Sequence, residues 1–118
     1  MTQQSLDQTD KRILEILQKD SSLSNAELAE RVNLSSSSCH RRVRLLEQSG
    51  LIDRYVALLS HEALGLTLTV FIEVALNKKD KETRDSFMER IRLWPEVLEC
   101  HFISGEYDNL LRIVLEDI

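Results

Sequence analysis

Two helix-start signatures lie eleven residues apart, and they constrain this chain more than any other feature. In "LSNAEL", Ser24 stands as N-cap with Glu27 three residues on, the reciprocal pair of a capping box. Leu23 and Leu28 flank that pair as a hydrophobic staple. In "LSSSSCHRRVRLL", Leu34, Ser35 and Cys39 repeat the staple at N′, N-cap and N4. The first of these helices therefore ends near Val32, with Leu28, Ala29 and Val32 inward. Asn33, a residue that tolerates the left-handed conformation, stops it. The second runs on to Gly50. Two helices joined by so tight a turn form a helix-turn-helix.

Four consecutive serines, Ser35 to Ser38, can also be read as a flexible linker. The residues after them exclude that. At about 100° per residue, Cys39, Val43 and Leu46 share one face of a helix. The opposite face carries Ser37, Ser38, Arg41, Arg44 and Gln48, with His40 on its flank. A spacer would have no such two-sided order. Upstream, Leu6, Ile13, Leu14 and Leu17 at helical spacing behind Asp7 predict a preceding helix. Downstream, "LIDRYVALL" is rich in β-formers and predicts a strand in the place of a wing or hinge. "SHEALG" reads as a one-turn connector stopped by Gly65.

Beyond Gly65 the period changes. "LTVFIEVAL" predicts a strand with Val70, Ile72, Val74 and Leu76 on one side and Phe71 and Ala75 on the other. A helix follows, with Phe87, Ile91 and Trp94 at i, i+4, i+7, and Pro95 ends it. "VLECHFIS" and "LLRIVLED" are two strands joined by the turn residues of "GEYDN". The order β-α-β-β is the opening three-quarters of a ferredoxin-like βαββαβ unit. One sheet face can pack on the helix; the other needs a further layer, most simply a second copy of the chain. The expected fold class is α+β: residues 1–64 form a winged helix-turn-helix with a hinge strand. Residues 65–118 form a ferredoxin-like domain that stops after its third strand.

A net charge of −5 over 118 residues argues at first sight against a nucleic-acid partner. Its distribution reverses that. Residues 1–64 hold 8 Lys/Arg against 9 Asp/Glu, net −1, and residues 65–118 hold 7 against 11, net −4. Residues 40–44 carry three arginines and no acid, a basic patch on an acidic protein. A helix fits the DNA major groove with its N-terminal residues leading. The hydroxyls of Ser36, Ser37 and Ser38 suit phosphate oxygens, and His40 lies beside them. Arg41 or Arg44 can fork onto guanine, worth about 1–3 kcal/mol of base discrimination. The same pattern also fits a solvated helix face.

Other chemistries find little support. No apolar run reaches the roughly 20 residues that span a bilayer, and the start "MTQQSLDQTD" lacks signal-peptide character, so a cytoplasmic location is expected. The two cysteines show no CxxC spacing. Cys39-His40 and Cys100-His101 repeat a dipeptide, but adjacent side chains diverge on a helix and oppose on a strand, so no metal site is expected. Nucleophile–base spacings and phosphate loops are absent, so no enzymatic function or cofactor is expected. Gly105-Glu106-Tyr107-Asp108 reads first as a hairpin turn, with a small-molecule site where subunits meet as the alternative.

The stretches "LDQTDKRILEILQKD", "NAELAERVNLS", "CHRRVRLLEQSGLI" and "WPEVLECHFISGEYDNLLRIV" resemble the leucine-responsive/asparagine-responsive (Lrp/AsnC, feast/famine) regulators, in that family's order over nearly the whole chain. The resemblance implies a homodimer, often assembled into octamers, that binds double-stranded DNA and responds to an amino-acid effector. It places the recognition helix on residues 35–48 and the effector contacts on Gly105, Tyr107 and Asp108. The family domain continues with a second helix and a fourth strand beside residues 68–76, so the chain reads as a shortened relative or a part that leans on its partner subunit. Two other classes stand beside the regulator. One is an amino-acid-binding or dimerisation module that pairs with full-length relatives without productive DNA binding; the other is a structural adaptor.

Overall fold

Hydrogen bonding at the helix ends explains where the first three helices start and stop. The computed structural model describes residues 5–118, in two units whose boundary falls between Ala57 and Leu58. In the first, α1 spans Gln8–Lys19, α2 Asn25–Arg31 and α3 Ser36–Gln48. Asp7 caps α1 by accepting the Asp10 amide at 2.8 Å. The Ser24 hydroxyl accepts the Glu27 amide at 3.2 Å, while the Glu27 carboxylate accepts the Ser24 amide at 2.8 Å, completing the capping box. Ser35 caps α3 through the Ser38 amide at 3.2 Å. The serine run is a helix start.

Between α2 and α3 the chain reverses within a few residues. Asn33 takes φ +56°, the left-handed region. The Asn33 amide donates to the Glu30 carbonyl at 3.3 Å and the Leu34 amide to the Ala29 carbonyl at 2.9 Å. That pair of bonds is a Schellman ending, which satisfies carbonyls left open at the helix end. Leu34 is thereby returned to the core, where it packs with Leu6, Leu14, Leu17, Leu23, Val32, Val43 and Ile52 around buried Ile13, Ile16, Leu28, Ala29, Cys39 and Leu46. Burying one such Ile or Leu side chain contributes about 1.5–3 kcal/mol.

The expected strand over residues 51–59 does not form. Residues 53–60 have no regular secondary structure, because no neighbouring strand among the described residues pairs with them. β-forming side chains cannot make a strand without a ladder partner. The connector beyond is as expected: residues 61–65 turn, with Gly65 at φ +78°.

In the second unit, β1 spans Leu68–Val74, α4 Lys81–Ile91, β2 Val97–Phe102 and β3 Asn109–Leu115. The sheet order is β1-β3-β2, with β3 antiparallel to both neighbours. Strands β1 and β2 are therefore parallel and connected through α4, with β3 inserted between them. Register places Val70 opposite Ile113, Ile72 opposite Leu111, and Cys100 opposite Leu111. That face meets α4 through buried Ile91, Leu111 and Ile113, with Phe87, Val74, Val97, Cys100 and Leu115 around them. Trp94 does not join this core and is 56% exposed. The helix ends at Ile91, and the Leu93 and Trp94 amides make tighter turns to the Arg90 and Ile91 carbonyls. A residue preceding proline is disfavoured in the α region, so the turn before Pro95 loses the helical phase that placed Trp94 inward.

Candidate nucleic-acid interface

Helix α3 is split lengthwise by polarity. Cys39 is fully buried and Leu46 nearly so, with Val43 packed beside them. Burial pushes the Cys39 thiol up from its usual range, so it is a packing group. The opposite side of the helix carries exposed Ser37, His40, Arg41, Arg44 and Gln48, and half-buried Ser38. Ser36 is also exposed. At its N-terminus the Ser38 amide is taken by Ser35 and the Cys39 amide by the Ser35 carbonyl at 2.9 Å. The Ser36 and Ser37 amides have no protein acceptor among the described residues. Those two amides, two neighbouring hydroxyls and the positive end of the helix dipole make a surface suited to phosphate.

The three arginines do not act alike. Arg41 and Arg44, three residues apart, are exposed and have no ion-pair partner among the described residues. Arg42 turns back toward α1. Its Nη1 donates to Asp7 Oδ2 at 2.6 Å and to Asp10 Oδ1 at 3.0 Å. The Arg42 hydrogen bond, with the Asp10 amide, holds the Asp7 carboxyl below the usual carboxylate range. Two arginines, not three, are thus open to a nucleic acid. A further contact binds the helix pair: Asn25 Nδ2 donates to the Ser36 carbonyl at 2.8 Å, tying the start of α2 to the start of α3. Sequence reasoning missed both Arg42 and Asn25. The phase of Arg42, one step of about 100° from Arg41, hints at a different environment. Its partners lie 35 and 32 residues away, beyond any local signal.

In the second unit, Gly105 adopts φ +115°, and a Cβ at this position would meet nothing within 4 Å. The backbone conformation, rather than lack of space, therefore calls for glycine. Tyr107 is 37% exposed. Asp108 is stitched into the fold: its Oδ2 accepts the Leu76 amide at 2.8 Å, and its own amide donates to the Val74 carbonyl at 2.9 Å. Lys79 Nζ lies 3.5 Å from Asp108 Oδ1. The three residues share one turn, but the Asp108 carboxylate is already engaged in shaping it. An open groove of about 520 Å³ runs nearby, lined by Leu76, Asn77, Thr83, Ser86, Phe87 and Arg90 among others, and not by Gly105, Tyr107 or Asp108.

The Cys-His dipeptides point as their local geometry requires. Cys39 is buried and His40 exposed. Cys100 packs toward α4, whereas His101 is exposed and bonds Glu99 at 3.0 Å. Glu99 also accepts from Arg112, and these two bonds, the Arg112 one first, lower its pKa from 4.5 to about 2. Among the described residues no three His, Cys, Asp or Glu side chains gather as a metal site. No helix among them is long and apolar enough to cross a membrane.

Comparison with known proteins agrees with this division. A winged helix-turn-helix DNA-binding model matches residues 6–53, and an Lrp/AsnC ligand binding domain model matches residues 69–118. The chain is 42% identical over 113 residues to the leucine-responsive regulatory proteins of Klebsiella pneumoniae and Escherichia coli, covering 96% of this chain and 69% of theirs. It is similar to a transcriptional regulator of Neisseria meningitidis solved as a complex with L-Met. There the TM-score is 0.92 at 46% identity, over 97% of this chain and 73% of that one. An AsnC family transcriptional regulator from Agrobacterium tumefaciens gives a TM-score of 0.91 at 41% identity, over 96% and 74% of the two chains.

Proposed function

Because the chain belongs to the Lrp/AsnC family of transcriptional regulators, we propose that it reads double-stranded DNA through the exposed face of α3. Ser36, Ser37 and Ser38 position the helix on phosphates, with His40 beside them. Arg41 and Arg44 contact bases or phosphates. The observation that carries this reading is the contrast within one helix. Arg41 and Arg44 stand exposed and unpaired among the described residues, opposite buried Cys39 and Leu46, while Arg42 is neutralised.

The division of labour puts DNA binding in residues 1–64 and effector binding with oligomerisation in residues 65–118. A homodimer, with octamers as the larger assembly, presents two recognition helices about one DNA turn apart, ~34 Å, and so favours a palindromic site. The protein works in the cytoplasm. Its effector is an amino acid, a reading supported by the ligand-binding domain match and by the L-Met bound to the Neisseria relative. The turn of Gly105, Tyr107 and Asp108 offers contacts for it, and the effector acts by binding one assembly more tightly than another.

The test is DNA selection from a random-sequence pool by the purified 118-residue chain, followed by gel-shift titration of the enriched fragment. Arg44→Ala is expected to weaken binding by about 1–3 kcal/mol if it forks onto guanine. Binding by Arg44→Ala as tight as that of the unmutated chain would remove Arg44 from the interface. Failure of the unmutated chain to enrich any sequence would remove DNA recognition from the reading.

A further inference from the structure

We propose that Arg42 is a positioning residue for DNA recognition: with Asp7 and Asp10 it fixes the rotation at which α3 presents Arg41 and Arg44, without itself touching DNA. This rests on the DNA reading of α3 given above. The apolar contacts around Ile13 and Cys39 hold α1 and α3 together and set which side of α3 faces inward, but hydrophobic burial is non-directional and fixes the exact rotation less tightly than a directional bond does. One guanidinium nitrogen shared by two carboxylates at 2.6 and 3.0 Å supplies the missing direction. Its geometry is partly shielded: the Arg42 side chain is 25% exposed and that of Asp10 19%. The N-terminal end of α3 has a second fixed point, the bond from Asn25 of α2 to the Ser36 carbonyl. Two anchors along one helix define an orientation, whereas a single anchor leaves a pivot. A recognition surface needs such supporting contacts because small misplacements forfeit its bonds.

The arrangement makes distinctive demands. Asp7 uses its other oxygen to cap α1, so the same carboxylate that starts that helix also holds α3. Asp10 caps nothing and is the cleaner handle. Both Arg42 contacts pass through Nη1, while Nε is buried without a partner. A lysine ammonium at this position can therefore replace part of the arrangement. The acids beside α3 also set electrostatics against geometry. Removing the Asp10 charge lowers repulsion from DNA, so simple charge counting predicts tighter binding, whereas the positioning role predicts weaker binding.

The experiment titrates the full chain against its pool-selected DNA fragment over a range of KCl concentrations. Far-UV circular dichroism establishes that each variant is folded at the titration temperature. Arg42→Ala and Asp10→Asn are expected to bind about tenfold more weakly, the scale of coupling between contacting charged groups. Their slopes of log affinity against log KCl should equal that of the unmutated chain. Loss of a direct phosphate contact would instead flatten the slope by about 0.9. Arg42→Lys should recover part of the affinity. If Arg42→Ala does not fold, Asp10→Asn and Arg42→Lys decide the matter. Binding by Asp10→Asn as tight as, or tighter than, the unmutated chain would overturn the proposal, as would a slope flattened by Arg42→Ala. Both outcomes differ from an unmutated chain that selects no DNA, which removes the DNA reading itself.

Discussion

At position 39 one side chain contributes to which way a whole helix faces. The cysteine is fully buried between α1 and α2, and its apolar contacts orient the serine and arginine face outward. Cysteine here behaves as a small hydrophobe. Cys39→Ser places a hydroxyl among the apolar side chains of this cluster, and burying one without a hydrogen bond costs about 1–3 kcal/mol in mutational data. Cys39→Ala loses the sulfur contacts but buries nothing polar. Urea denaturation followed by far-UV circular dichroism should therefore show the serine variant as the less stable of the two. Equal or greater stability of the serine variant would mean that its hydroxyl finds an acceptor, most simply the carbonyl one turn back. Burial of residue 39 was legible from spacing alone, because Cys39, Val43 and Leu46 repeat every three or four residues. The separate role of Arg42 was not, because its two acids belong to another helix and its cap.

Among the elements, the helices of the first unit are defined by their ends. Helix α2 has only seven residues, too few to be stable alone, and relies on its capping box and on Leu28 and Ala29 in the core. Ser24→Ala removes the acceptor for the Glu27 amide and should lower the stability of this unit by about 1 kcal/mol. A thermal melt followed at a helical wavelength reads that loss; an unchanged midpoint would mean that packing alone holds α2. Caps and staples are local, so the sequence displayed them. The segment over residues 51–59 shows the opposite case. Its composition favours a strand, yet strand formation depends on a second strand elsewhere, and the described residues offer it none. Trp94 was misplaced for a related reason: periodicity extended the helix across residues whose conformation Pro95 had already restricted.

At the scale of the molecule, the second unit leaves one sheet face uncovered. Register puts Phe71, Arg112 and Glu99 in one row across that face, on the side away from α4. Phe71 is 62% exposed there. Beside it Arg112 pairs with Glu99, while Glu73, on the same face of β1 as Phe71, has no ion-pair partner among the described residues. In the homodimer proposed above, Phe71 is the aromatic anchor of this face. Phe71→Lys should then weaken self-association by about 2 kcal/mol or more, the scale of an interface hot spot. Mass photometry over a dilution series reads this directly: the variant should dissociate at concentrations where the unmutated chain remains paired. Unchanged dissociation would place the interface elsewhere.

Periodicity and end signals, both carried by neighbours in the chain, determined the helix-turn-helix, the β-α-β-β order and the outward face holding Arg41 and Arg44. A helix turn brings together residues three or four apart, and alternation assigns strand faces, so these features are written locally. What the tertiary structure decided were pairings between distant positions. It drew Arg42 away from the basic patch to Asp7 and Asp10, tied Asn25 to Ser36, committed the Asp108 carboxylate to the Leu76 amide, and left residues 53–60 without a ladder. Each depends on where two separate segments come to lie, and the free energy of that meeting belongs to the packed core rather than to either segment.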